Sequence, residues 1–287
     1  MKNLTKLAVL MGFAVLGGGA AQATTIPSTI NTTITITTDS KLTGPVTCTV
    51  PAGTACIKFG ANNITLKLNG FSITGTAASP ASCTPLGFVT VIDTNSKNNV
   101  VIRGPGLITQ FNGTGINVSG NNSSVEGVAI TSMCLGAIFV SGSYNEIEGN
   151  SISRAEEFGT GIGQAIFISG AEKNNGHNRI LHNEVGETGS GSGISVGATQ
   201  VNPSPGNLIE ENNFSGNSFI GIFIDSGSAG NVARHNQALG NLNGDIVDNN
   251  AAGANTYDNN LCQTASGGAS CQTPDIAGHS NFEPSDE

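Results

Sequence analysis

Tryptophan is absent from this sequence, tyrosine occurs twice, and 11 lysine and arginine residues stand against 20 aspartate and glutamate residues, for a formal charge of −9. A chain this poor in cations is not built to track nucleic acid, whose recognition needs a basic surface. With Tyr144 and Tyr257 the only large polar aromatics, the usual platforms for stacking sugar rings are scarce. Beyond residue 23 no apolar run approaches the ~20 residues that a membrane-spanning helix requires. Six cysteines occur without any Cys-x-x-Cys or zinc-like spacing, which sets a structural zinc site aside.

What is present begins with an export signal. Lys2 and Lys6 form a basic start, LAVLMGFAVL (7–16) an apolar core, and Ala21-Gln22-Ala23 a small-x-small cleavage site, so residues 1–23 read as a leader cut after Ala23. Loss of the two lysines takes the formal charge from −9 to −11. The expected location is extracellular or periplasmic, with no membrane span after cleavage. All six cysteines follow the leader, and an even number in an exported chain argues for disulfides. Several pairings are open. Proximity favours Cys48 with Cys56 and Cys262 with Cys271, leaving Cys83 with Cys134.

From Asn145 to Asn260 one frame returns: NEIEGNSI (145–152), NRILHNEV (178–185), NLIEENNF (207–214), NVARHNQA (231–238) and the shorter NTYDNN (255–260). A second frame alternates with it and centres on Ile116, Ile138, Ile166, Ile194, Ile222 and Ile246, 22 to 28 residues apart. Each copy holds short runs of period-two alternation, too short to bury a face alone, so the copies must stack. Stacked strands lie about 4.8 Å apart, which makes equivalent residues vertical neighbours. Two asparagine columns follow, Asn145, Asn178, Asn207, Asn231, Asn255 and Asn150, Asn183, Asn212, Asn236, Asn260. At bends, asparagines in left-handed backbone conformation would bond their counterparts one coil above and below.

These repeats, together with NNITLKLNGFSITG (62–75), resemble the right-handed parallel β-helix superfamily, in particular secreted bacterial proteins of the NosD-like, carbohydrate-binding and sugar-hydrolase-like repeat type. The resemblance runs from about residue 62 to Cys262. It implies an all-β, single-domain, pectate-lyase-like solenoid. Around it, residues 24–61, with the alternating TINTTITITT (29–38), are expected to form an N-terminal cap or first coil, and 263–287 a C-terminal cap and disordered tail. The segment 76–87 is a loop by composition. Insertions at 153–163, 171–177, 186–192 and 199–206 would build one wall of a groove, or are loop drift that the scaffold tolerates.

Chemistry would sit at outward positions. In the asparagine frame these are Glu148, Leu181, Glu210, Arg234 and Asp258, with Gly149, His182, Glu211, His235 and Asn259 one residue on. A polysaccharide lyase needs a cation on the uronate and a base for the α-proton. His182 or His235 would be the base and Arg234 or Arg179 the cation, with Glu210 beside Arg234. Alternatively His182, Glu211 and His235 would hold a divalent metal, or all of them form an ordinary solvated face. The resemblance adds no catalytic residue: the Asn-Thr-Asp, Asp-Asp and Gly-His-Gly motifs of polygalacturonase-like hydrolases and the Asp-Pro-His-Asp of alginate epimerases are missing, and no aspartate cluster matches the calcium site of pectate lyases. A second outward column holds Phe139, Phe167 and Phe223, an apolar strip that would stack a sugar, dock a protein or lie beneath an insertion. The expected function is a non-catalytic glycan- or surface-binding or structural module requiring no cofactor; the alternative is a polysaccharide lyase, with calcium as its cation.

Overall fold

The computed structural model describes residues 24–76, 83, 87–155, 164–169, 176–197 and 203–274. No helix occurs among them, and every strand pairing is parallel. The chain passes in turn through three sheets. Sheet A has ten strands, from Thr24–Thr25 to Thr256–Asp258, and sheet C has ten, from Ile34–Ile36 to Ala265–Gly267. Sheet B runs through seven strands from Thr29–Ile30 to Glu184–Gly186, then continues by single bridges at Asn213 to the pair Gln237–Ala238 and Leu261–Cys262. Parallel neighbours joined by a crossover wind right-handed. The fold is a right-handed parallel β-helix.

The isoleucine column of the sequence is one vertical row of sheet C, paired in register from Ile116 through Ile138, Ile166, Ile194 and Ile222 to Ile246. The row begins three coils earlier, at Ile34, Ile57 and Ile92. Ile102, Val125, Ile147, Ile180 and Ile209 form the matching inward row of sheet A, each with 0% of its surface exposed. Because side chains alternate across a strand, each short strand sends one or two of these residues inward. Each buried aliphatic contributes about 1.5–3 kcal/mol. Residues 24–61 supply strands to all three sheets and so make the first two coils. Residues 275–287, which carry most of the anticipated tail, and the leader lie outside the described residues.

Both asparagine columns are buried ladders. The Asn183 side-chain oxygen accepts from the backbone N–H of Asn150 at 3.0 Å, and the Asn183 backbone N–H in turn donates to the Asn212 side-chain oxygen at 2.8 Å. The same bonds link Asn145, Asn178, Asn207, Asn231 and Asn255. One expectation needs correction: at every rung but Asn255 the left-handed residue is the one before the ladder asparagine. Tyr144, His177, Gly206 and Gly230 precede the first column with φ of 59°, 56°, 69° and 74°. Gly149, His182, Glu211, His235 and Asn259 precede the second with φ of 63°, 54°, 55°, 54° and 50°. The bend is made one residue early because the asparagine must keep its side chain inside the corner, where it bonds main chain on both sides.

Three disulfides join Cys48 to Cys56, Cys83 to Cys134 and Cys262 to Cys271, the pairing that proximity favoured. The first and last lie in the second and the tenth coil. The other ties the long B-to-C connection of the third coil to the fifth.

Candidate functional site

The charged residues singled out in the sequence all lie on sheet A and at the corner where it hands over to sheet B. Glu148, Leu181, Glu210, Arg234 and Asp258 are in register on five successive coils. Leu181, placed in an outward position, is only 5% exposed. His182, Glu211 and His235 follow at the left-handed corner, so their side chains splay outward and are exposed. His182 Nε2 lies 2.8 Å from Glu211 Oε2, and His182 Nδ1 lies 3.5 Å from Glu148 Oε1. Arg234 Nε donates to Glu210 Oε1 at 2.6 Å, which holds the Glu210 carboxyl below its ordinary range. Arg179 Nη1 donates to Glu146 Oε2 at 2.7 Å. His235 is 4.0 Å from Glu210 and 3.5 Å from the Asn259 amide.

These contacts decide what the stripe can do. Both candidate cations already carry a carboxylate, and Glu146, Glu148, Glu210, Glu211 and Asp258 outnumber Arg179 and Arg234. A uronate approaching here meets excess negative charge. Among the described residues one group has metal-ligand geometry: Glu210, Glu211 and His235 offer ligand atoms within 4.8 Å of one another. Glu211 and His235 belong to the triad expected from sequence, with Glu210 in place of His182. The set does not fit calcium, which takes about six to eight oxygen ligands. Here an imidazole is one of three donors, and Arg234 occupies a Glu210 oxygen.

Sheet C has a different character. Its outward row runs Lys58, Asp93, Asn117, Phe139, Phe167, Ser195, Phe223, Val247, one residue per coil. Phe139, Phe167 and Phe223 are half-buried, and the Phe139 and Phe167 rings pack with centroids 5.1 Å apart at 49°. Phe139 and Phe167 wall a cavity of about 270 Å³ with Thr114, Leu135, Gly136 and Gln164. Gln164 belongs to a second, shorter outward row and accepts a 2.8 Å bond from the Ser192 N–H. Sequence reasoning did not single out Gln164, Thr114 and Ser192, because in the second frame only the central isoleucines repeat and the residue type at these positions changes from coil to coil. Of the anticipated insertions, 186–192 is folded tightly against the preceding coil through Gly189 N–H to Ala155 O at 2.8 Å. Most of the other three, at 156–163, 171–175 and 198–202, lies outside the described residues. Their ends fall at both margins of sheet C, since 153–163 and 186–192 lead into its strands while 171–177 and 199–206 lead away from them.

No protein-family model and no curated protein matches this chain. Solved structures do. The A-module of the mannuronan C-5 epimerase AlgE6 of Azotobacter vinelandii aligns at TM-score 0.63 and 14% identity, covering 88% of this chain and 71% of that one. XylC in complex with xylose aligns at TM-score 0.55 and 15% identity, covering 77% of this chain and 38% of that one. The catalytic domain of a GH87 α-1,3-glucanase bound to nigerose aligns at 0.51 and 12%, covering 88% of this chain and 51% of that one. Likeness at such identities establishes the shared β-helix and nothing about chemistry.

Proposed function

We propose that this protein is an exported β-helix module that holds polysaccharide on the outer face of sheet C. The observation that carries the reading is the aromatic row: half-buried Phe139, Phe167 and Phe223 on a sheet with polar residues interleaved at coil spacing. A pyranose ring has an apolar face and a polar rim, and such a row offers partners to both. Structural neighbours in complex with xylose and with nigerose agree with a sugar as the ligand class. Export is supported by the leader pattern and by three disulfides, which persist in oxidising compartments. The test is retention of the mature protein by polysaccharides. Retention that disappears in Phe139→Ala and Phe167→Ala supports the reading, and retention untouched by both changes sinks it.

A second reading, a polysaccharide-cleaving enzyme, has one observation in its favour: His182 pairs with Glu211 and Arg234 with Glu210 along one stripe. Against it stand the excess of carboxylates and the occupied arginines. A depolymerisation screen that follows unsaturated uronides and new reducing ends separates the two. Activity abolished by His182→Ala or His235→Ala would establish the enzyme.

A further inference from the structure

The outer face of sheet C between Gly113 and Val247 carries threonine, asparagine, glutamine, serine, phenylalanine and valine, and no ionisable residue. That neutrality is local, because the neighbouring sheet A presents the charged stripe. Two polar atoms in the neutral region are buried without a hydrogen-bond partner among the described residues, Asn117 Oδ1 and Ser192 Oγ. Ser192 is 1% exposed. Asn117 stands beside Phe139 in one row, and Ser192 stands beside Gln164 in the other. Phe139 and Gln164 line the same cavity, so each residue with an orphaned atom is the in-register neighbour of a lining residue.

Buried polar atoms are costly to leave unpaired, and a partner supplied by a ligand removes that cost. One N–H of the Asn117 amide donates to Asp93 Oδ1 at 3.1 Å, and the atom without a partner is the oxygen, an acceptor. An acceptor needs a donor, which a sugar hydroxyl provides. With no cation on this face between Gly113 and Val247, and Asp93 next in the row, the charge of a polyuronate would go uncompensated there. We infer that the ligand of sheet C is a neutral polysaccharide lying parallel to the helix axis, its ring faces on Phe139 and Phe167 and its hydroxyls on Asn117 Oδ1 and Ser192 Oγ. The direction follows from the row, which offers one contact per coil about every 4.8 Å along the axis. This inference rests on the glycan-binding reading above and narrows it to a class.

Affinity electrophoresis of the mature protein tests both levels, in gels containing a neutral glucan, xylan or mannan and in gels containing alginate or polygalacturonate. The expected result is retardation by at least one neutral polymer, weakened about tenfold by Phe139→Ala or Phe167→Ala. Ser192→Ala discriminates further. Removing an orphaned buried hydroxyl leaves the fold as stable or more so, while retardation falls; a purely structural serine would not move the two in opposite directions. Retardation by acidic polymers alone, still dependent on Phe139 and Phe167, overturns the neutral class and leaves glycan binding standing. Absence of retardation in every gel overturns both. A concentration-dependent dimer, seen by sedimentation and lost in Phe139→Ala, likewise overturns both, because the strip would then be an interface between copies.

Discussion

Replacing Asn183 is the sharpest test of how the coils are held together. Its side chain is 1% exposed, its amide nitrogen donates to Ile147 O at 2.8 Å, Leu181 O at 3.0 Å and Asn212 Oδ1 at 3.0 Å, and its oxygen accepts from Asn150 N and Nδ2, both at 3.0 Å. In Asn183→Ala the Asn150 N–H is left buried without a partner, which costs about 1–3 kcal/mol, and the bond from Asn150 Nδ2 and those of the two Asn183 amide N–H groups add about 1 kcal/mol each, for about 4–6 kcal/mol in all. Asn183→Asp asks a finer question. One carboxyl oxygen can still accept from Asn150, but the other faces three acceptors and must carry a proton to bond them. Burial and those acceptors raise its folded pKa above the ~3.9 of an unfolded aspartate. With a raised folded pKa, the aspartate variant keeps its stability below the unfolded value and loses it as pH rises through the folded value. Urea denaturation of parent and both variants, followed by far-ultraviolet circular dichroism from pH 4 to pH 8, measures this. The reasoning fails if Asn183→Ala costs less than about 1 kcal/mol, or if the gap between parent and Asn183→Asp does not widen with pH.

Other outcomes follow from the same geometry. His182→Gly is expected to raise stability by about 1 kcal/mol, since the position has left-handed backbone that side chains resist; thermal melting checks the sign. Arg234→Ala releases the Glu210 carboxyl, whose lowered pKa gives stability above its ordinary 4.5 that is lost as pH falls through the folded value, so parent and variant should converge below that pH. Replacing Cys83 and Cys134 with serine opens a link spanning 51 residues and should cost about 4 kcal/mol by equilibrium denaturation. Calcium or a calcium chelator is expected to leave the melting midpoint unchanged, because Glu210, Glu211 and His235 do not make a calcium site.

The repeat was legible because a solenoid converts sequence period into vertical neighbours. Asn145 and Asn178 sit 33 residues apart in the chain and bond directly, and nothing but the period is needed to place them. The corner chemistry was harder to read. An asparagine ladder and a left-handed bend both call for Asn and Gly, and the sequence alone does not say which of two adjacent residues takes which task. A third ladder, Asn217 to Asn241 at 2.9 Å and Asn241 to Asp245 at 3.0 Å, went unnoticed because it spans only the eighth and ninth coils and ends on aspartate. The first two coils were blurred for a related reason: they keep the inward isoleucines Ile34 and Ile57 but lack the asparagine frame that flags the later copies. At the candidate site the Phe row was visible from alternation. The orphaned atoms of Asn117 and Ser192 were not, since a missing partner is a property of space and leaves no trace in a pattern.

The two polar faces of the prism also differ in what folding alone accounts for. Register puts outward residues of successive coils about 4.8 Å apart, so any charged column must alternate in sign or repel itself. Sheet A carries three opposite-charge pairs, Arg103 with Glu126, Arg179 with Glu146 and Arg234 with Glu210, with Glu126 and Glu148 a like-charged pair in register. Those pairs satisfy a requirement of stacking and need no ligand to explain them. Sheet C has no such account. Its phenylalanines keep apolar surface half in water, and its buried Asn117 Oδ1 and Ser192 Oγ lack partners, both of which work against stability. On the proposed reading the ligand is therefore expected on sheet C, and changes in the charged stripe of sheet A are expected to alter stability and leave polysaccharide retention as it is.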